Sequence, residues 1–127
     1  MSDTDTTIAE LRQLVEQFVA ERNWQQFHAP KNLAMSLAIE AAELMEHFQW
    51  LTPDESRAVA TDPQRLSAVS AELADVVCYA LAMANELGID VARAVTEKMA
   101  QNAQKYPADE YRGRWGAGDM RDASSDG

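Results

Sequence analysis

Glu40 and Glu43 stand three residues apart in the chain, and so do Glu72 and Asp75. On a helix three residues turn through about 300°, so the two carboxylates of each pair share one face. Their neighbours are alanines, leucines and valines, the residue types of a core. Carboxylates in such surroundings repel one another and resist desolvation, so the four call for a cation among them. A set of oxygen donors suits Mg2+ or Mn2+, hard ions that keep waters they can exchange for substrate phosphate oxygens. Zinc fits poorly, because the chain has one Cys, Cys78, and its two His, His28 and His47, lie far apart. A di-iron bundle needs Glu-x-x-His on two helices. Here Leu44 stands three residues before His47, and the stretch 63–88 contains no His. His47 continues the stripe of Glu40 and Glu43 at i, i+3, i+7, whereas Glu46 falls to the side.

Two further stretches carry chemistry. Trp24, Phe27 and His28 crowd a connector where helical periodicity stops and Pro30 disfavours helix just before it. Aromatics there either pin the loop to the core or wall a pocket in which a planar ligand stacks. Lys98, Asn102 and Lys105 recur at i, i+4, i+7 as a polar stripe, with Tyr106 beside them; taken alone, the two lysines are solvated.

The elements that position these residues read as helices. Ile8, Leu11, Val15, Phe18 and Val19 predict a first helix from Thr6 or Thr7 to about Asn23, with Glu10, Arg12, Gln13, Glu16 and Gln17 on its wet face. Asn32 is expected to cap a second helix over 33–51, which Trp50 ends beside Phe48. Thr52, Pro53 and Glu55 form a capping-box signature for a short helix over 53–60. Asp62 and Pro63 open a long helix that Gly88 stops. Its apolar arc, from Leu66 to Leu87, is wide enough for a central position, and Glu72 and Asp75 interrupt it. Asp90 caps a last helix over 91–105, with Val91, Ala94, Val95 and Met99 facing in, and Pro107 ends it.

With 127 residues, 46% of them hydrophobic, and only 5 Gly and 4 Pro, the chain is expected to be one all-α domain of four to five helices over 1–111, followed by a flexible tail over 112–127; residues 108–127 show no periodicity, and their first part, through Trp115, is expected to pack on the body. No internal repeat is evident. No apolar run is expected to reach the length of a membrane span, and the N-terminus shows no signal-peptide pattern. Cys78 sits in an apolar run and reads as a buried, reduced thiol, which places the chain in the cytoplasm. A net charge of −10 argues against a surface for nucleic-acid polymers, though not against an anionic small substrate met through a metal ion.

Together these segments resemble the MazG-like all-α nucleotide pyrophosphohydrolases, within them the dCTP pyrophosphatase type. The likeness runs from about Ile8 to Tyr111 and rests on Glu40-x-x-Glu43, Glu72-x-x-Asp75, the loop from Trp24 to Leu33, Glu46-His47-Phe48-Gln49-Trp50, and Lys98 through Pro107. It implies Mg2+-dependent hydrolysis of a nucleoside triphosphate, dCTP or a modified dCTP, to the monophosphate and pyrophosphate. It implies metal held by Glu40, Glu43, Glu72 and Asp75, with Glu43, beside Glu40, the choice for activating the attacking water. Trp24, His28, Trp50 and Tyr79 then line the base and sugar pocket, and Lys98, Asn102, Lys105 and Tyr106 hold phosphates or sugar. It also implies a homotetramer. Two alternatives stand beside this reading: the same chemistry on dUTP or a damaged nucleotide, and a non-catalytic helical oligomer serving as an adaptor.

Overall fold

Most helix starts are fixed by side chains that satisfy the orphan N–H groups of the first turn. In the computed structural model, which describes residues 1–114, Thr7 caps α1 (Ile8–Glu21): its hydroxyl accepts from the Glu10 N–H at 3.1 Å and the Glu10 carboxylate accepts from the Thr7 N–H at 2.7 Å. The expected box at Thr52 opens α3 (Pro53–Ala58) in the same way, with both bonds at 3.2 Å. Asp62 caps α4 (Pro63–Leu87) and Asp90 caps α5 (Val91–Lys105), each through the N–H three residues on. Helix α2 (Pro30–Glu46) departs from expectation at both ends. Pro30, whose fixed φ suits the first helical position, starts it after Ala29 rather than Asn32. Asn32 instead lies inside the helix and donates from Nδ2 to the Phe27 carbonyl. The helix stops at Glu46, not near 51, and residues 47–51 continue as turns bonded three and four residues back. A short α6 (Ala108–Tyr111) follows Pro107, and single 3-10 turns occupy Gln25–Phe27 and Val59–Thr61. The fold is all-α, and no strand occurs among the described residues. The tail expected over 112–127 lies outside the described residues from residue 115 onward, Trp115 included.

The described chain divides into two compact units, Met1–Ile89 and a second that begins at Asp90. In the first, α2 lies along α4 over much of its length and α1 packs on α4 more sparsely. Val19, Leu33, Val59, Leu81, Ala82 and Ala84 form its core, with Leu33 only 2% exposed. The central position expected for α4 holds only in part, because Leu66, Leu73, Val77 and Leu87 remain exposed. By length and composition α4 also passes for a membrane span, with a mean hydropathy of 1.5 over 18 residues, so the expectation that no apolar run reaches that length is corrected. In the second unit Val91 is half-buried while Ala94, Val95 and Met99 are exposed, contrary to the inward face expected for α5. That helix is largely polar, and Val and Ala offer little apolar area to bury.

The Thr52 cap carries weight because it fixes the turn that delivers Val59 to the core. Thr52→Ala is expected to cost about 1 kcal/mol of unfolding free energy, read as a lower urea midpoint with an unchanged slope.

Candidate functional site

Glu40 and Glu43 leave one face of α2 while Glu72 leaves the facing side of α4. The three carboxylates offer ligand oxygens that all lie within 4.8 Å of one another. Glu40 Oε2 and Glu72 Oε2 are buried and have no hydrogen-bond partner, while Glu43 is exposed. Burial, then a hydrogen bond with Glu43 and the charges of Glu43, Asp75 and Glu72, raise the Glu40 carboxyl to about 7. Unpaired acceptors packed against like charges are costly. An all-oxygen donor set of this kind fits a hard divalent cation. Asp75 stands one turn beyond Glu72; it is not among the three converging ligands, although its charge reaches Glu40. Glu46 and His47 are both exposed, and His47 caps the C-terminus of α2 instead of continuing the ligand stripe.

Asp75 also lines a cavity of about 380 Å3 between α1 and α4. From α1 come Leu14, Val15, Phe18 and Val19; from α4 come Cys78, Tyr79 and Ala82; Trp24 and His28 close the rim. The turn that brings Trp24 there is local chemistry. Asn23 takes a left-handed φ of 53°, its N–H donates to the Ala20 carbonyl, and the Trp24 N–H donates to the Val19 carbonyl. This is the Schellman pattern, which Asn tolerates better than other side-chain-bearing residues. The Trp24 ring then meets Phe18 edge-on at 5.6 Å, and the Arg22 guanidinium lies 3.7 Å over the other partner, the Phe18 ring. The 3-10 turn Gln25–Phe27 delivers His28.

Three of the four residues expected to line a base pocket, Trp24, His28 and Tyr79, therefore meet in one cavity. Trp50 does not join them: it sits in the turn after α2 and is 87% exposed. Cys78 is exposed rather than buried. Its apolar neighbours suggested burial, but the helical face it occupies opens into the cavity, where the surrounding protein atoms and Asp75 push its thiol above the ordinary value. Val15 and Phe18 were legible only as core positions of α1, and Leu14 was missed; helical spacing of apolar residues is the same signal whether it faces a core or a cavity wall.

Lys98, Asn102, Lys105 and Tyr106 belong to the second unit. Asn102 is half-buried and Lys98, Lys105 and Tyr106 are exposed. Lys105 Nζ lies 5.3 Å over the Tyr106 ring, which stacks edge-on against Tyr111 at 5.2 Å. The Tyr106 N–H donates to the Asn102 carbonyl at 2.8 Å, so the stripe ends in an ordered aromatic pair.

A family model described as the MazG-like family matches residues 35–116, a span that holds all four carboxylates and the polar stripe of α5. The chain is 41% identical over 109 residues to dCTP pyrophosphatase 1 of Rattus norvegicus, covering 86% of this chain and 64% of that protein. It is 40% identical over 104 residues to dCTP pyrophosphatase 1 of Homo sapiens, covering 82% of this chain and 61% of that one. It thus spans less than two thirds of these relatives. A solved structure of a pyrophosphatase from Archaeoglobus fulgidus is similar at a TM-score of 0.73 and 37% identity, covering 84% of this chain and 98% of that chain.

Proposed function

The chain belongs to the MazG-like family, and on that premise we propose that it hydrolyses a deoxynucleoside triphosphate, dCTP or a modified dCTP, to the monophosphate and pyrophosphate in the cytoplasmic nucleotide pool. The observation that carries this reading is the adjoining of two half-sites. Three converging carboxylates with buried unpaired oxygens stand one helical turn from Asp75, which faces an aromatic cavity. The first suits the metal-bound phosphate end of a nucleotide and the second its base.

Glu40, Glu43 and Glu72, with Asp75, would hold Mg2+ or Mn2+. Such an ion supplies positive charge to the phosphate oxygens and lowers the pKa of water. Glu43, the exposed member of the trio, accepts the proton of a water that attacks the α-phosphorus. The new bond is from water oxygen to phosphorus, the bond to the bridging oxygen breaks, and pyrophosphate leaves with the electron pair. Trp24 stacks on the base from the cavity rim, His28 exchanges a hydrogen bond with its edge, and Tyr79 contacts the sugar. Lys98, Asn102, Lys105 and Tyr106 serve the phosphates and sugar, and Trp50 a further base or sugar contact. The domain doing this is residues 1–111. The half-exposed Leu73 and Val77 of α4, at 50% and 43%, suit a face covered in a homotetramer.

The test is pyrophosphate release from a panel of unmodified and modified dNTPs with Mg2+, read beside thermal shifts with each nucleotide. Turnover on dCTP or a modified dCTP supports the reading, and stabilisation by metal plus nucleotide accompanies it. Preference for dUTP keeps the chemistry and corrects the base. A folded chain that turns over none of them, and that no nucleotide stabilises, is the outcome expected of an adaptor.

A further inference from the structure

Arg12, which by periodicity belongs to the wet face of α1, is half-buried against the end of α4. Its guanidinium donates from Nε to Asn85 Oδ1 at 2.9 Å, from Nη2 to the Ala84 carbonyl at 3.1 Å and from Nη1 to the Ile89 carbonyl at 2.6 Å. Asn85 answers, its Nδ2 donating to the Arg12 carbonyl at 3.0 Å. The last turn of α4 has no basic residue of its own. Arg12 therefore supplies both donors for carbonyls at that end and the positive charge that its dipole favours.

Every other side-chain hydrogen bond among the described residues spans five residues or fewer, whereas these four span 72 to 77. No other hydrogen bond joins α1 to α4 among the described residues, and apolar contact carries no directional preference. The planar guanidinium fork does. It thus sets the register of α1 on α4.

That register has a consequence at the cavity, because α1 and α4 are its two long walls. Arg12 stands two residues before Leu14 and Asn85 three residues after Ala82, so the lock lies within one turn of the lining on both helices. A smaller void of about 80 Å3 shares Val15, Val19, His28 and Ala82 with the cavity and is also lined by Asn85 of the lock. Sliding or splaying α1 at Arg12 changes the separation of Phe18 from Tyr79. The carboxylates Glu40, Glu43 and Glu72 stand on α2 and α4, not on α1.

We propose that Arg12 and Asn85 are positioning residues that set the width of the aromatic cavity, and with it the affinity for the base, without touching it. This rests on the proposed nucleotide reading for its kinetic arm only. Kinetics of pyrophosphate release from the preferred dNTP are compared for Arg12→Gln, Asn85→Leu and Asn85→Asp. Arg12→Gln and Asn85→Leu are expected to raise KM about tenfold with kcat within about twofold of wild type. Asn85→Asp keeps an acceptor for Arg12 Nε and is expected to restore KM to within about threefold of wild type. The second arm needs no substrate. Cys78 is the one cysteine of the chain and lines the cavity, so its alkylation rate by a small neutral reagent reports how open the cavity is. That rate is expected to rise severalfold in Arg12→Gln and Asn85→Leu, and less in Asn85→Asp. An unchanged KM, or a loss confined to kcat, overturns the proposal, as does an unchanged Cys78 rate. Where wild type turns over no dNTP, the nucleotide reading fails and the Cys78 rate alone decides the positioning role. Where Arg12→Gln does not fold, the two Asn85 variants decide it.

Discussion

Glu43→Gln is expected to lower pyrophosphate release by about a hundredfold or more, the scale on which a positioned proton acceptor acts. Its far-UV circular dichroism should stay that of wild type. Glu43 is exposed, so an isosteric amide opens no cavity and strands no buried partner. What it removes is one of three charges whose ligand oxygens lie within 4.8 Å of one another. Glu46→Gln, on the same helix but off that stripe, should leave turnover within about twofold, since an exposed charge outside the cluster contributes little. Retained activity in Glu43→Gln would remove that side chain from the site. Equal losses in both variants would point to the net charge of α2 rather than to a placed carboxylate.

In the absence of metal, Glu40→Gln should make the chain more stable, not less. The Glu40 carboxyl is raised from 4.5 to about 7 by burial and by its carboxylate neighbours. Between those values the folded chain holds a proton that the unfolded chain has released, so unfolding free energy falls as pH rises through that window. Above it the folded state carries the charge and its full penalty. Scanning calorimetry in chelator should show wild type losing melting temperature from pH 5 to pH 8. Glu40→Gln should lose less and melt higher at pH 8. Saturating Mg2+ should then raise wild type well above its chelated value, because a ligand of the folded state stabilises it, and should raise Glu40→Gln little. Identical pH slopes for the two proteins would contradict the assigned coupling.

Helix starts were legible because they are written in adjacent residues. Thr52, Asp62 and Asp90 each cap the helix their types announce, and Gly88 takes the left-handed φ of 66° that stops α4. Asn32 misled because Pro30, two residues earlier, already supplies a pre-set φ for helix entry. The end of α2 was misplaced because nothing in its last turn breaks a helix; the chain tightens into shorter-range turns before Pro53. The convergence of Glu40, Glu43 and Glu72 followed from spacing on apolar helices. The fates of Cys78 and Arg12 did not, since each depends on which part of another helix it meets. Arg12 finds its partner 73 residues on, and no local pattern encodes that.

The length and apolarity of α4 bring a hazard of another order, one of address. Every 18-residue stretch of that 25-residue helix contains both Glu72 and Asp75, and even so it passes for a membrane span. An aspartate at the middle of such a helix costs about 3 kcal/mol on the scale by which the insertion machinery sorts nascent segments. The two carboxylates that face α2 and the cavity thus also weigh against insertion of the emerging helix into lipid. Replacing both by leucine would do more than empty a site. It would hand the secretory apparatus a segment it has reason to accept, so the amides are the substitutions that keep chemistry and destination separable.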